Sequence, residues 1–209
     1  MHIVCLDLEG VLIPEIWIEF SQRTGIAALS LTTRDEPDYD KLMRYRLETL
    51  KHHKLGLVDI QRVIVGMCPL PGARQFLDGL RECFQVAILS DTFYEFAQPF
   101  MRQLSWPTLF CHRLEADVNG DVVGYHLRMP DQKRAAVAAF NALHLKTIAV
   151  GDSYNDVTML AEADTGVFFC PPARIMAEFP RFTVTQNYNE LRTVILEAST
   201  VHSARTVLW

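Results

Sequence analysis

The chain has 209 residues, of which 49% are hydrophobic and 22% charged, and its net charge is −5. These values are ordinary for a globular protein and leave room for one full domain with a smaller insertion. The acidic balance, without any basic stripe, argues against nucleic acid and anionic membrane surfaces as partners. No apolar stretch approaches the roughly 18 residues that a bilayer-spanning helix needs, so we expect no membrane segment.

The N-terminus and the cysteines indicate a cytoplasmic protein. The first residues lack a basic segment followed by a long apolar one, which argues against secretion. The five cysteines are odd in number and scattered, so we expect reduced and buried thiols. Neither these cysteines nor the seven histidines show the spacing of a zinc site.

Apolar periodicity predicts alternating strands and helices along most of the chain. In chain order, the predicted elements are a strand over 2–7, a helix over 14–24 with Pro14 in its first position, helices over 38–53, 57–67 and 73–83, a strand over 85–90, a helix over 93–105, a β-hairpin of 108–115 with 122–128, a helix over 131–143, a strand over 146–150, a helix over 154–163, a strand over 166–170, and a final strand and helix. Alternation from residue 73 onward is typical of an α/β domain with a parallel sheet.

The segment 15–70 interrupts this alternation, because only helices are predicted in it. We therefore predict that residues 1–14 and 71–199 form an α/β core and that 15–70 form a small helical cap over the strand ends. Residues 200–209 show no clear periodicity, and we expect them to form a disordered C-terminal tail.

Three apolar runs end in small polar or acidic residues, which are the first candidates for chemistry. The first run is followed by Asp7 and Glu9, the second ends at Ser90, and the third is followed by Asp152. Ligands of open parallel sheets bind beyond the carboxyl ends of the strands. We therefore expect these side chains to share one site.

Helix capping is the alternative interpretation of these polar residues. Thr92–Glu95 and Ser153–Asp156 both fit a capping box. Capping alone explains neither the two acids after the first strand nor the presence of Asp156 beside Asp152.

Two carboxylates directly after a buried strand suggest covalent phosphoryl transfer. If Asp7 attacks a phosphate dianion, the repulsion is about 8 kcal/mol at about 4 Å and an effective dielectric near 20. A divalent cation is therefore needed, and Asp7 and Asp152 offer the hard oxygens that Mg²⁺ prefers. Ser90 and Lys133 would bind the remaining phosphate oxygens, although a surface lysine is the ordinary alternative. Glu9 would be the general acid, which requires a raised pKa.

The inserted helices contain one arginine in an unusual place. A helical projection of residues 39–53 puts Arg46 in the middle of the apolar stripe, which consists of Leu42, Met43, Leu47 and Leu50. A guanidinium there needs an anionic partner or must reach water. We favour a ligand contact, with a structural ion pair as the alternative. Glu15 suits the first turn of a helix with or without a ligand.

The chemistry-bearing motifs resemble those of the haloacid-dehalogenase-type phosphatase superfamily. The matching segments, in order, are Asp7-x-Glu9-Gly10, Leu89-Ser90, Lys133 and Gly151–Asp156. Within this superfamily the chain is similar to phosphoserine phosphatases with a small helical cap. Glu9 in place of a second aspartate, and Asp91-Thr92 in place of two glycines, resemble the bifunctional phosphoserine phosphatase/homoserine phosphotransferase subgroup.

This resemblance implies a Rossmann-like core of the haloacid-dehalogenase type and a role for each site residue. Asp7 is then the phosphorylated nucleophile and Glu9 the acid and base. Mg²⁺ is held by Asp7, the Glu9 backbone carbonyl and Asp152, with Asp156 completing the acidic set. Glu15 is expected to meet the substrate ammonium and Arg46 the substrate carboxylate. The phosphate is surrounded by four side chains, those of Ser90, Asp91, Lys133 and Asn155.

We predict an enzyme that moves the phosphoryl group of O-phospho-L-serine onto Asp7 and then to water or homoserine. One alternative is a phosphatase of the same mechanism that acts on another small phosphomonoester. The other is a non-catalytic protein that binds a phosphorylated ligand. We expect a monomer or a homodimer.

Overall fold

The computed structural model describes residues 1–33, 35–36 and 38–204. Its strands are β1 (His2–Leu6), β2 (Gln85–Phe93), β3 (Thr108–Ala116), β4 (Val122–His126), β5 (Lys146–Gly151), β6 (Thr165–Phe169) and β7 (Thr183–Thr185). Its α-helices are α1 (Ile16–Thr24), α2 (Tyr39–His52), α3 (Leu57–Val65), α4 (Ala73–Arg81), α5 (Tyr94–Gln103), α6 (Gln132–Ala142), α7 (Val157–Glu162), α8 (Ala173–Glu178) and α9 (Tyr188–Ala204). Short 3₁₀ helices cover Ala27–Ser30 and Tyr154–Asp156.

The strands form one sheet in the order β4-β3-β2-β1-β5-β6-β7. Neighbouring strands are parallel except β3 and β4, which form the predicted hairpin. The direction of strand addition reverses at β1, where Leu6 is in register with Ile88 on one side and Val150 on the other. The three apolar runs are therefore neighbours. Their carboxyl ends meet at the switch point of the sheet, where α/β proteins bind ligands.

Helices cover both faces of the sheet, because successive strand residues point to opposite sides. Val4 and Leu6 face α4, α5 and α9, whereas Ile3 and Cys5 face α6, α7 and α8. Buried residues of α2 and α3, such as Met43, belong to the same apolar cluster as Val4 and Leu6. The inserted helices thus share a continuous interior with the sheet.

The described part of 15–70 contains only helices and connecting turns, as the sequence predicts. The division into core and cap at residues 14 and 71 stays a prediction. None of the described helices combines the length and the apolar character that crossing a membrane requires.

Two element boundaries differ from the prediction in ways that affect the site. Helix α1 begins at Ile16, two residues after Pro14, because Glu15 occupies its N-cap position with an extended backbone. Strand β2 continues to Phe93, so Ser90 and Asp91 lie inside it. The predicted capping box at Thr92–Glu95 is wrong, since the Glu95 carboxylate accepts a hydrogen bond from Leu114 N at 2.9 Å instead.

The C-terminal region and the cysteines also differ from expectation. Helix α9 continues to Ala204, so the tail predicted from residue 200 begins inside a helix, and 205–209 lie outside the described residues. Helix α8 was not predicted. Cys5 and Cys111 are buried free thiols, as expected, but three further free thiols at the ends of elements are exposed, those of Cys68, Cys83 and Cys170.

Candidate active site

A cleft at the switch point of the sheet gathers most of the side chains that the sequence singles out. Its lining includes nine of them, Asp7, Glu9, Glu15, Arg46, Ser90, Asp91, Lys133, Asp152 and Asn155. The sheet supplies Asp7 after β1, Ser90 and Asp91 from β2, and Asp152 after β5. The inserted helices supply Glu15 and Arg46 from the opposite side. The topology therefore brings together residues that are up to 148 positions apart.

Three buried aspartates form an acidic cluster at the base of this cleft. Asp7, Asp152 and Asp156 each place a carboxylate oxygen within 4.8 Å of the others. Burial, together with the charge of Asp156, raises the pKa of the Asp7 carboxyl above its usual range. Three carboxylates this close, with one lysine among them, fit a divalent cation with hard oxygen ligands such as Mg²⁺.

Lys133 is the cation at the centre of this cluster, and only 2% of it is exposed. Its Nζ lies 2.9 Å from Asp7 Oδ1, 2.8 Å from Asp156 Oδ1 and 3.6 Å from Asp91 Oδ2. Burial disfavours an ammonium, but Asp156 and Asp7 hold the pKa of Lys133 above its usual range. Lys133 is therefore a fixed positive charge that interacts with three carboxylates at once.

Asp156 does not line the cleft and lies fully buried behind it. Its Oδ2 accepts hydrogen bonds from Asp152 N at 3.0 Å and Ser153 N at 3.1 Å, and its Oδ1 accepts from Lys133. Both oxygens thus hold the loop after β5 and the lysine in place. This geometry favours a supporting role for Asp156 over direct contact with a ligand in the cleft.

Gly10 is required by the close approach of its loop to Asp152. Its φ is +78°, and a Cβ at this position would lie 2.4 Å from Asp152 Cγ. Only glycine combines this left-handed backbone with the missing side chain without strain. The glycine of the first motif therefore fixes the position of a predicted metal ligand.

Glu9 is held at the start of α1. Its Oε2 accepts a hydrogen bond from Ile16 N at 2.9 Å, in the helix N-terminal position that favours a carboxylate. Burial, together with the charge of Glu15, nevertheless raises the pKa of Glu9 to about 7. A carboxyl group with this pKa can both donate and accept a proton near neutrality.

The Asp91 carboxylate is surrounded by hydrogen-bond donors and positive charge. Asn155 Nδ2 donates to its Oδ2 at 2.9 Å, and His112 Nε2 lies 3.5 Å from its Oδ1. The N–H of Arg128 donates to His112 Nδ1 at 3.1 Å, so the imidazole proton is on Nε2 and faces the carboxylate. Burial opposes ionisation, but Lys133 and His112 hold the pKa of Asp91 well below its usual range.

Arg46 lies on the buried side of α2, as predicted, with 6% of its surface exposed. Its guanidinium carbon is 4.5 Å from the centre of the Trp17 ring, and Nη2 donates to Leu31 O at 2.8 Å. Within the described residues no carboxylate forms a direct ion pair with it, and its buried Nε has no hydrogen-bond partner. Burial lowers the pKa of Arg46 to about 10, and the charges of Glu9 and Glu15 act in the opposite direction. Among the described residues, the structural ion pair considered above is therefore not formed.

Sequence reasoning missed four residues that shape the site, namely Trp17, Tyr39, His112 and Gln132. The Tyr39 hydroxyl donates to Asp91 O at 3.1 Å, and Gln132 Nε2 donates to Ser90 O. These contacts arise between elements that are distant in sequence, so no local motif indicates them. Only Gln132 could have been found from the sequence, because it directly precedes Lys133, which belongs to one of the motifs.

Comparison with known proteins identifies the family of this chain. The model of the haloacid dehalogenase-like hydrolase family matches residues 1–164. A protein named phosphoserine phosphatase ThrH from Pseudomonas aeruginosa is 58% identical over 199 residues, which cover 95% of this chain and 97% of that protein. A phosphoserine phosphatase from Pseudomonas syringae pv. tomato is 56% identical over 95% of this chain and 84% of its own length.

Solved structures show the same fold at low sequence identity. A phosphoserine phosphatase in its apo form superposes with a TM-score of 0.73 at 19% identity, covering 93% of this chain and 97% of that one. The family model spans more than half of this chain, and the Pseudomonas relatives match nearly all of it. The chain therefore belongs to the haloacid dehalogenase-like hydrolase family, and its two Pseudomonas relatives are named phosphoserine phosphatases.

Proposed function

We propose that this protein is a Mg²⁺-dependent phosphoserine phosphatase that forms a phosphoaspartyl intermediate on Asp7 and also transfers the phosphoryl group to homoserine. The observation that carries the proposal is the cleft itself. Asp7, Asp152 and Lys133 line it together with a buried Arg46 that forms no direct ion pair among the described residues. The names of the Pseudomonas relatives support the same substrate.

The amino-acid part of the substrate would bind between the sheet and the inserted helices. Arg46 would pair with the substrate carboxylate, because no carboxylate among the described residues forms a direct ion pair with it. Glu15 would receive the ammonium group. These two contacts would orient the phosphate toward Asp7, which lines the same cleft.

In the first half-reaction, an Asp7 carboxylate oxygen attacks phosphorus, and the bond from phosphorus to the serine oxygen breaks. Glu9 donates its proton to that oxygen, so serine leaves as a neutral alcohol. The raised pKa of Glu9 supplies the proton near neutral pH. Lys133 and Ser90 stabilise the phosphate oxygens during transfer.

In the second half-reaction, water or the homoserine hydroxyl attacks the phosphorus of phosphorylated Asp7. Glu9, now a carboxylate, accepts the proton of the attacking hydroxyl, and the Asp7 carboxylate is released. Phosphate or O-phosphohomoserine is the product. The enzyme then returns to its starting protonation state.

Asp7, the Glu9 backbone carbonyl and Asp152 would hold Mg²⁺. When bound, the ion offsets the repulsion between the phosphate dianion and the acidic cluster. We assign Asp156 to the support of this site, because both of its oxygens already accept hydrogen bonds from Lys133 and the loop. We further propose that the protein acts in the cytoplasm, where its exposed free thiols stay reduced.

The proposal is tested by product analysis with phosphoserine, Mg²⁺ and either no acceptor or homoserine. We expect free phosphate in the first case and O-phosphohomoserine in addition in the second. Asp7→Asn should abolish both products, and wild-type activity in this variant would disprove the covalent mechanism. Arg46→Ala should weaken phosphoserine binding far more than binding of a generic aryl phosphate. Equal losses would point to a different phosphomonoester as the substrate.

A further inference from the structure

We infer that Trp17 is a positioning residue that holds the Arg46 guanidinium in place without neutralising it, and thereby sets the preference for phosphomonoesters that carry a carboxylate. This inference rests on the proposed function and extends it to a residue that does not belong to any of the motifs. Trp17 acts through Arg46 and takes no part in phosphoryl transfer.

The first support is the geometry of the Trp17–Arg46 contact. The guanidinium carbon lies 4.5 Å from the ring centre, within the range of a cation–π interaction. Both side chains line the cleft, and 7% of Trp17 is exposed. Because little of either side chain is exposed, this cation–π contact is largely desolvated, which strengthens it.

The second support is that Arg46 donates its hydrogen bonds among the described residues to neutral groups, although the charges of Glu9 and Glu15 also act on it. The neutral acceptors are the Leu31 carbonyl oxygen at 2.8 Å and the Met43 sulfur at 3.7 Å. A buried arginine in a protein is ordinarily paired with a carboxylate. Here the aromatic face and two neutral acceptors take the place of a directly paired carboxylate, so the guanidinium can still pair with a ligand carboxylate.

The third support is that Trp17 is itself firmly held. Its ring makes edge contacts with Phe20 at 6.3 Å and Phe96 at 5.6 Å between ring centres. It lies on α1, one residue after Ile16, whose N–H binds Glu9. One short helix therefore fixes the ring under Arg46 and the carboxylate of the proposed acid.

The experiment compares two substrates that differ only in the carboxylate, O-phospho-L-serine and O-phosphoethanolamine, with Mg²⁺ present. The readout is the ratio of their kcat/KM values. Trp17→Leu should lower this ratio roughly tenfold by raising KM for phosphoserine, while kcat and the values for phosphoethanolamine change little. Trp17→Phe keeps a weaker aromatic face and should lower the ratio only about two- to threefold.

Phe168→Leu is the control, because Phe168 is a buried aromatic residue of the apolar cluster on the other face of the sheet, and its ring contacts are with Phe179 and Phe182 rather than Trp17. It should lower the melting temperature and leave the substrate ratio unchanged. In an Arg46→Ala background, Trp17→Leu should no longer change the ratio, since the two residues act as one unit.

The inference is overturned if Trp17→Leu reduces kcat/KM for both substrates equally, or if it still changes the ratio without Arg46. If Trp17→Leu does not fold, an unchanged ratio in Trp17→Phe overturns it as well. A wild-type protein without any preference for phosphoserine would instead refute the proposed function and this inference with it. A preference that persists in every Trp17 variant refutes the inference alone.

Discussion

Replacing Gly10 with alanine should disable the predicted metal site with little damage to the rest of the fold. The added Cβ would lie 2.4 Å from Asp152 Cγ and equally close to Asp152 Oδ2. Restoring an ordinary contact requires the Asp152 carboxylate to move by about 1 Å. Displacement of a catalytic group by this distance can cost about 100-fold in rate. We therefore expect Gly10→Ala to lose about two orders of magnitude in kcat/KM for phosphoserine.

Gly25→Ala is the control that separates this steric effect from backbone strain. Gly25 also has a positive φ, of +71°, but nothing lies within 4 Å of its hypothetical Cβ. Both variants should lose about 1–2 kcal/mol for the left-handed backbone, which corresponds to a melting temperature lower by roughly 2–8 °C in a chain of this size. Only Gly10→Ala should also lose activity and the stabilisation by Mg²⁺.

Thermal melting at several Mg²⁺ concentrations, with steady-state kinetics, checks this prediction. The Gly25→Ala curve should shift upward with Mg²⁺ as the wild-type curve does, because a ligand of the folded state stabilises it by mass action. If Gly10→Ala retains the Mg²⁺ response and the activity of Gly25→Ala, the glycine does not position Asp152 and the reasoning fails.

Three further predictions concern the charges of the site. In metal-free buffer, Lys133→Met should destabilise the protein by about 3–5 kcal/mol, because it leaves buried carboxylates without their cation. Asp7→Asn should raise the free energy of unfolding without metal, because burial and the charge of Asp156 already oppose ionisation of Asp7. Urea unfolding of both variants in EDTA checks whether Lys133→Met lowers and Asp7→Asn raises this free energy. Glu9→Gln should slow phosphoenzyme breakdown, because no carboxylate activates the acceptor, and intact-protein mass spectrometry after mixing with phosphoserine should then detect phosphorylated protein. Breakdown at the wild-type rate would exclude Glu9 as the base.

The parallel sheet and the meeting of Asp7, Ser90 and Asp152 could be predicted from the sequence, because each of these residues follows or ends an apolar run of strand length. The rule that ligands bind at the carboxyl ends of parallel strands then places them together. The boundaries of helices and strands were less predictable than their existence. Pro14 favours a helix start, but the Glu9 carboxylate binds the N–H of Ile16 and the helix begins there instead.

The surroundings of the charged side chains could not be predicted, because they depend on contacts between distant elements. The periodicity of α2 places Arg46 on an apolar face but does not identify its neighbour. That neighbour is the Trp17 ring, 29 positions earlier in the chain. In the same way, the contact of His112 with Asp91 depends on the pairing of β3 with β2. No sequence motif indicates this pairing.

The proposed phosphate site and the proposed carboxylate site of the cleft differ in charge. Because of this difference, ligand binding at the two sites should depend on the metal to different extents. At the phosphate end, Lys133 is shared among Asp7, Asp91 and Asp156, so its charge is more than balanced before any ligand binds. Each unit charge of a phosphate near an unbalanced carboxylate costs about 4 kcal/mol at about 4 Å and an effective dielectric of 20. Arg46, by contrast, forms no direct ion pair within the described residues, although the charges of Glu9 and Glu15 act on it.

It follows that the carboxylate of a ligand should bind without metal, whereas its phosphate should not. We expect L-serine to bind with similar affinity in EDTA and in Mg²⁺, and inorganic phosphate to bind at least about tenfold more tightly with Mg²⁺. Isothermal titration calorimetry of each ligand under both conditions measures the difference, and Arg46→Ala should remove serine binding only. Phosphate binding of equal strength in EDTA would mean that Lys133 alone offsets the acidic cluster, and the electrostatic argument for the metal would then be wrong.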